Sequence, residues 1–334
     1  MQKKLFSVII SNKNAKKWLN KCFTSLKNQT YKNVEVIFID NASTDDSVGF
    51  VKHRFPWVRI IVNKKDLGPG LAMNKAAKSA RGKFLFFMNT DSYLDDDALE
   101  KLASILQQYP NYELVELSMK NYERTNMKDK PYKFGMDIFG YPMPSDKIFY
   151  ADVCGAAILK SLFDKIGGFD DKFYMYLDDL DLSWRVRMLG KDIQLLENVY
   201  IYHHTGGTSI PTSSLYHQKN TYTTTLSRRL HAQKNNIRTL LKNYSLPNLM
   251  WSLPISVMLA SAEGFLYLIK GDVQGFFALH KAIWWNIINF PDTLKKRKKV
   301  QSQRVVGDSD ILKYCEKKVA KVHSLLSHGI PATI

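Results

Sequence analysis

The sequence predicts an α/β fold, a mostly parallel sheet flanked by helices, followed by a helical extension that is basic and apolar. Three observations carry this. Short, β-branched apolar runs alternate with segments of helical spacing over the first ninety residues or so. Carboxylates stand where strands end, at Asp40 and Asp91, and open α/β sheets bind ligands at the carboxyl ends of their strands. After Pro211 acids become scarce and long apolar runs appear.

Leu5 to Ile10 reads as a buried strand. Asn14 to Asn28 has helical spacing, with Trp18, Leu19, Cys22, Phe23 and Leu26 on one face. Val34 to Ile39 is a second strand, and Ser43 or Thr44 can cap a helix over 46–54. Val58 to Val62 is a third strand, Leu67-Gly-Pro-Gly70 a turn and Leu71 to Ala80 a helix. Phe84 to Met88 is a fourth strand and Asp95 to Tyr109 a helix. The segment 112–150, rich in Tyr, Phe, Met and Pro, reads as irregular. Asp152 to Leu159 is strand-like, and a short helix from Leu162 closes at Gly167-Gly168. A helix over 179–189 stops at Gly190, and Ile193 to Tyr202 is a strand leading to His203-His204. Leu215 to Lys242 is a basic helix without an acid; 246–269 and 276–290 are apolar, and Lys295 to Lys299 is a cationic run.

At 334 residues the chain has room for one full core and a second module. The boundary is expected near 214: one domain over 1–214, in two halves that meet at about 91 and 92, then a basic and apolar helical region over 215–334. Cys22, Cys154 and Cys315 have no metal-type spacing and fit a reducing compartment. The beginning of the sequence lacks the apolar core and cleavage site of a signal peptide. The net charge of +17 is uneven: from Asn198 to Arg304 there are fourteen Lys or Arg and three acids. Such a surface suits an anionic membrane, a phosphate-bearing substrate or nucleic acid.

The chemistry-bearing residues are acids. Asp178, Asp179 and Asp181 crowd an aromatic and basic stretch, far along the chain from Asp91. Metal-assisted group transfer needs one carboxylate to hold a cation and another to take a proton from an attacking hydroxyl. The plain alternatives are structural. Asp40 and Asp91 can cap helices, Asp66 can belong to turn chemistry, and an acidic first helical turn is favoured by the macrodipole.

Taken in order, Ser7 to Asn12, Val36 to Asp45, Phe87-Met-Asn-Thr-Asp91, Gly155 to Asp170, the triple-aspartate stretch and His203-His204 resemble an inverting family 2 glycosyltransferase of GT-A fold, rhamnosyltransferase-like. The resemblance implies that Asp40 accepts a hydrogen bond from the nucleotide base. Ser11, Asn12, Asp66 and Asn74 are weaker candidates for the same nucleotide-sugar site. It implies Asp91 as ligand of a divalent cation, Mn2+ or Mg2+, with His203 (or His204) completing the metal or diphosphate site. It implies Asp179 as general base, with Asp178 beside it. The family often has an acid two residues before the metal-binding Asp, where this chain has Asn89; that departure leaves fewer anionic ligands. The implied partners are a nucleotide-diphosphate sugar and a glycan or polyprenyl-diphosphate-linked acceptor.

The 246–269 run is long enough to cross a bilayer, but Glu263, Pro247 and Pro254 interrupt it and basic residues flank it. An interfacial anchor on an anionic membrane is expected, ahead of a true span and an oligomer contact, with the protein at the cytoplasmic face as a peripheral or monotopic enzyme. One rival is a polyprenyl-phosphate glycosyltransferase, whose anionic acceptor needs no base. Another is a non-catalytic basic protein that binds membrane or nucleic acid; nucleic acid is not expected, because no recognisable motif for it is present.

Overall fold

The computed structural model describes residues 5–123, 132–204 and 223–333. The expectations that fall on 205–222, among them the boundary near 214 and the first residues of the 215–242 helix, lie outside the described residues. The chain divides into two compact units. One comprises 1–132, 151–174 and 192–210; the other comprises 133–150, 175–191 and 211–334. The chain therefore passes repeatedly between units, where a single crossing was expected, and the triple-aspartate segment groups with the C-terminal helices.

In chain order the elements of the first unit begin with β1 (Phe6–Asn12), α1 (Lys16–Asn28), β2 (Val34–Asp40), α2 (Ser47–Arg54) and β3 (Arg59–Val62). There follow α3 (Pro69–Ser79), β4 (Phe84–Asn89), β5 (Ser92–Leu94), α4 (Ala98–Gln108) and β6 (Leu114–Asn121). After β7 (Phe134–Met136) and β8 (Pro142–Pro144), which belong to the second unit, come β9 (Gly155–Leu159) and α5 (Lys160–Ile166). Then α6 (Asp178–Met188) lies in the second unit and β10 (Gln194–His203) returns to the first. The sheet order is β3-β2-β1-β4-β9-β6-β10-β5. β9 is antiparallel to β4 and β6, and β5 is antiparallel to β10; the other six strands run one way. The apolar strands are buried on both faces, as a helix-covered parallel sheet requires. The core gathers Phe6, Phe23, Phe38, Phe86, Leu99 and Leu117. Cutting any of these to Ala costs about 2–5 kcal/mol.

Two local expectations are corrected. Ser43 and Thr44 do not cap α2: Asp45 Oδ1 accepts from Ser47 N, while Ser43 Oγ accepts from Asn14 N. The 112–150 segment is not wholly irregular, since Leu114–Asn121 is an interior strand of the sheet. Its charged Glu116 and Lys120 break the apolar run, yet both are buried; burial of polar side chains in a central strand cannot be read from alternation.

The second unit continues with α7 (Leu226–Asn243), α8 (Leu246–Ile269), α9 (Val273–Ile288), α10 (Phe290–Ser302), α11 (Asp308–Leu312) and α12 (Ala320–His328). Its core packs Trp184 against Phe149 and Tyr244, with Leu180, Leu240 and Ile311 around them. The basic helix α7 is its buried spine. Arg229 pairs with Asp272 at 2.7 Å, Arg238 with Asp292 at 2.7 Å, and Lys242 with Asp181 at 2.9 Å. These cations therefore are not a surface patch; they are spent inside the fold, where buried charge requires a partner. Pro247 sits in the first turn of α8, where its missing N–H costs nothing. Pro254 lies inside the helix without ending it.

Candidate functional site

In the first unit, the carboxyl edge of the sheet gathers most of the expected residues. Register sets Asn12 beside Asp40 and Ser11 beside Asn89. Asp40 and Asn12 are buried. Asp40 Oδ1 accepts from Asn12 Nδ2 at 2.7 Å, and Oδ2 from Ser43 N at 2.9 Å, which fixes the carboxylate and leaves lone pairs for a further donor. Asn12 Oδ1 is buried and accepts no hydrogen bond among the described residues. Ser11 is only partly buried.

Asp66 lies along the same edge. Its Oδ1 accepts from Gly68 N at 2.9 Å and its Oδ2 from the Tyr174 hydroxyl at 2.8 Å. Gly68 has φ 76°, and a Cβ there would meet the Tyr174 carbonyl at 2.2 Å, so only glycine fits. Lys13 Nζ donates to the carbonyls of Asn41 and Ala42 and stands 3.9 Å from Asp66 Oδ2. Asn74 has a positional duty: its Nδ2 donates to Phe169 O at 2.8 Å and its Oδ1 accepts from Phe169 N at 2.9 Å. Both ends of the amide are thus taken up in holding the turn after α5.

Asp91 is buried two residues beyond β4, and β10 brings His203 to it: Nε2 is 3.3 Å from Asp91 Oδ1. Asn89 Nδ2 is 3.5 Å from the same ring nitrogen, and His204 N donates to Asp91 O at 3.0 Å. The His204 ring instead packs on Trp18, 4.6 Å between centroids, so it is His203 that faces the carboxylate. Burial opposes charge on His203, but Cys154 and Asp91 favour it, and its pKa rises well above the ordinary imidazole value. Burial also pushes the Cys154 thiol up, against the pull of His203. Asp152 joins the same electrostatic group; burial raises its pKa, against the pull of His203.

Among the described residues no group of three or more His, Cys, Asp or Glu is arranged to hold a metal ion. The donor set nevertheless fits a cation of the Mg2+ or Mn2+ kind, which takes one or two protein ligands and fills its shell with water and phosphate oxygens. Asp91 is buried, and its Oδ1 faces the His203 imidazole nitrogen at 3.3 Å.

Asp178 and Asp179 occupy the first turn of α6 in the second unit. Asp178 is buried, whereas Asp179 is partly exposed and its Oδ1 accepts from Leu180 N at 2.8 Å. Tyr176 and Leu177 immediately before them have φ 70° and 60°, left-handed conformations that non-glycine residues adopt at a cost. Asn235 Nδ2 donates to Met175 O at 2.9 Å and Tyr176 O at 2.7 Å, pinning that kink. Asp181 is fully buried and structural: Arg185, Lys242 and Asn243 all donate to it. Lys13, Asp152, Cys154 and Asn235 were not singled out from sequence. A lone Lys or Asn carries no pattern, and these four gain meaning only through register and tertiary contact.

Residues 7–167 match the family described as Glycosyl transferase family 2. An uncharacterized glycosyltransferase of Haemophilus influenzae is 32% identical over 111 residues, covering 32% of this chain and 44% of that protein. The chain spans less than two thirds of the length of the curated relatives compared with it. Among solved structures, S. aureus TarS 1–349 superposes with a TM-score of 0.54 at 16% identity, over 89% of this chain and 90% of that one. GalNAc-T7 with UDP, GalNAc and Mn2+ gives 0.64 at 11% identity, over 99% and 59%. At such identities the likeness is one of fold, and that fold is GT-A.

Proposed function

We propose, from the premise that this chain carries a glycosyl transferase family 2 domain, that it moves a hexosyl group from a nucleotide-diphosphate sugar to a hydroxyl of a glycan or lipid-linked acceptor, with inversion. The observation that carries this reading is the assembly of Asn12, Asp40, Asp91 and His203 at one carboxyl edge of a largely parallel sheet.

In this mechanism Asp40, held by Asn12, accepts a donor N–H of the base, and Ser11, Asp66 and Lys13 border the nucleotide. Asn74 keeps the neighbouring turn in place. Asp91, and the His203 ring once it has given up its proton, would hold a divalent cation, which when bound would offset the charge of the diphosphate. Asp179 accepts the proton of the acceptor hydroxyl as its oxygen bonds to the anomeric carbon and the bond to the diphosphate breaks, which inverts that carbon. Asp178 is buried beside it in the first turn of α6. The GalNAc-T7 complex with UDP and Mn2+ supports a metal-assisted uridine donor, and the family name supports the transferase class.

A panel of UDP-, dTDP- and GDP-hexoses, assayed for nucleoside diphosphate release with and without Mn2+, tests this. Release from at least one donor is expected, and Asp91→Ala should abolish the response to Mn2+. Absence of saturable binding and release across the panel would overturn the reading.

A further inference from the structure

We propose that the outward face of α8 and α9 is a docking surface for an anionic lipid bilayer, on which the two helices lie without crossing it. The surface stands independently of the transfer mechanism proposed above.

Glu263 is the one charged residue between Leu246 and Ile269. It turns inward, pairing with Lys321 and accepting from the Tyr267 hydroxyl at 2.5 Å. The outward face of α8 is left with no charge at all. Met250 is 74% exposed and Ile269 82%, with Met258, Phe265 and Leu268 along the same arc of the helix. Ser252, Ser256, Ala260 and Gly264 occupy the opposite, buried side. On α9, Phe277, Trp284 and Ile288 recur at helical spacing and are all exposed, with Lys281 among them. The rings of Phe265, Phe276 and Phe277 follow one another at 5.4 Å, so the two apolar faces are continuous. Water is a poor neighbour for a patch of this extent.

Charge selects the occupant. The apolar face runs into α10, where Phe290 and Leu294 are exposed and Lys295, Lys298 and Lys299 follow. Arg297 is turned away, donating to Leu241 O and Tyr244 O, and Lys296 is only partly exposed, so Lys295, Lys298 and Lys299 are the exposed cations of that helix. Apolar side chains with lysines beside them match acyl chains under anionic headgroups.

Length alone would let α8 span a bilayer. Its inner face argues otherwise. Ser256 Oγ donates to Asn236 Oδ1 at 3.0 Å and lies 3.0 Å from the Tyr141 hydroxyl. Gly264 lets His280 of α9 approach to within 3.0 Å of where a Cβ would stand. Spanning would break these contacts and the Glu263 pair, leaving polar groups in hydrocarbon. Lying at the interface keeps them all.

The test is flotation of the full chain with vesicles of phosphatidylglycerol and phosphatidylcholine, and with phosphatidylcholine alone. Wild type should float with the anionic vesicles at low salt and be released by alkaline extraction. Replacing Lys295, Lys298 and Lys299 by Gln should weaken binding roughly 100-fold, about fivefold per lysine. Met258→Asp with Phe277→Asp should abolish it while leaving thermal unfolding and nucleotide release without vesicles unchanged. Equal binding to neutral vesicles, or none at low salt, would overturn the proposal. So would resistance to extraction, which marks a span, or a solution dimer that the Asp variants dissociate. Nucleotide release without vesicles tests the transferase reading separately.

Discussion

Two successive left-handed residues, Tyr176 and Leu177, lead into Asp178 and Asp179. Each costs about 1–2 kcal/mol relative to ordinary helix or strand backbone, and the Asn235 amide holds them by two hydrogen bonds to carbonyls. Aiming Asp179, the base proposed above, would be a sufficient reason to keep such strain. Asn235→Ala should lower kcat by roughly 10- to 100-fold through misplacement of Asp179, with donor affinity little changed. Asn235→Asp, equal in size but without the N–H donors, should lose as much; full activity in that variant would deny Asn235 a positioning role. At this scale Asp40 and Asp91 were legible because acids at strand ends are visible in sequence. Lys13, Asp152 and Asn235 were not: the first two owe their setting to strands and turns distant in sequence, and Asn235 looks like any other polar residue of a basic helix.

Helix α7 shows what composition conceals. Its arginines and lysines suggested a surface field, yet Arg229, Arg238 and Lys242 are buried and matched by Asp272, Asp292 and Asp181. Asp181 takes Arg185 and Lys242 together, so Asp181→Ala should destabilise the fold by about 3–5 kcal/mol through two stranded cations, as denaturant unfolding would register. Asp137, beside β7, is a second buried acid. Burial pushes its pKa up to about 6, against the pull of backbone N–H groups of Tyr141, Ala320 and Phe139 and of Lys321. Its folded pKa exceeds the unfolded value of about 3.9. The native state therefore holds the proton more tightly, and stability from this group is full below about pH 4 and lost as pH rises through about 6. Comparing unfolding free energies of wild type and Asp137→Asn at pH 4.5 and 7.5 (values chosen to lie roughly either side of that range) should show wild type losing on the order of 1–3 kcal/mol relative to the variant. A flat difference would contradict this. Strand β6 shows the opposite limit: Glu116 and Lys120 made an interior strand look like loop.

For the whole molecule, strand and helix alternation revealed the sheet and its ligand edge, because parallel strands are near-continuous apolar runs. It did not reveal the two antiparallel members, β9 and β5, or the division into two units. Chain order does not say which unit a segment joins: α6 carries the acids expected in the catalytic half, yet its core partners are α7 and α11. The net charge of +17 is likewise a poor guide until internal ion pairs are set aside. What remains outward on α10 is a short lysine row next to an apolar face.

The central claim is that Asp179 serves as the base of an inverting transfer. Single-turnover sugar transfer from prebound donor by Asp179→Asn addresses it most directly. The account predicts a loss of roughly 10²- to 10⁴-fold against wild type, with donor affinity unchanged. Transfer at the wild-type rate would contradict it and favour an acceptor that arrives already ionised, such as a polyprenyl phosphate.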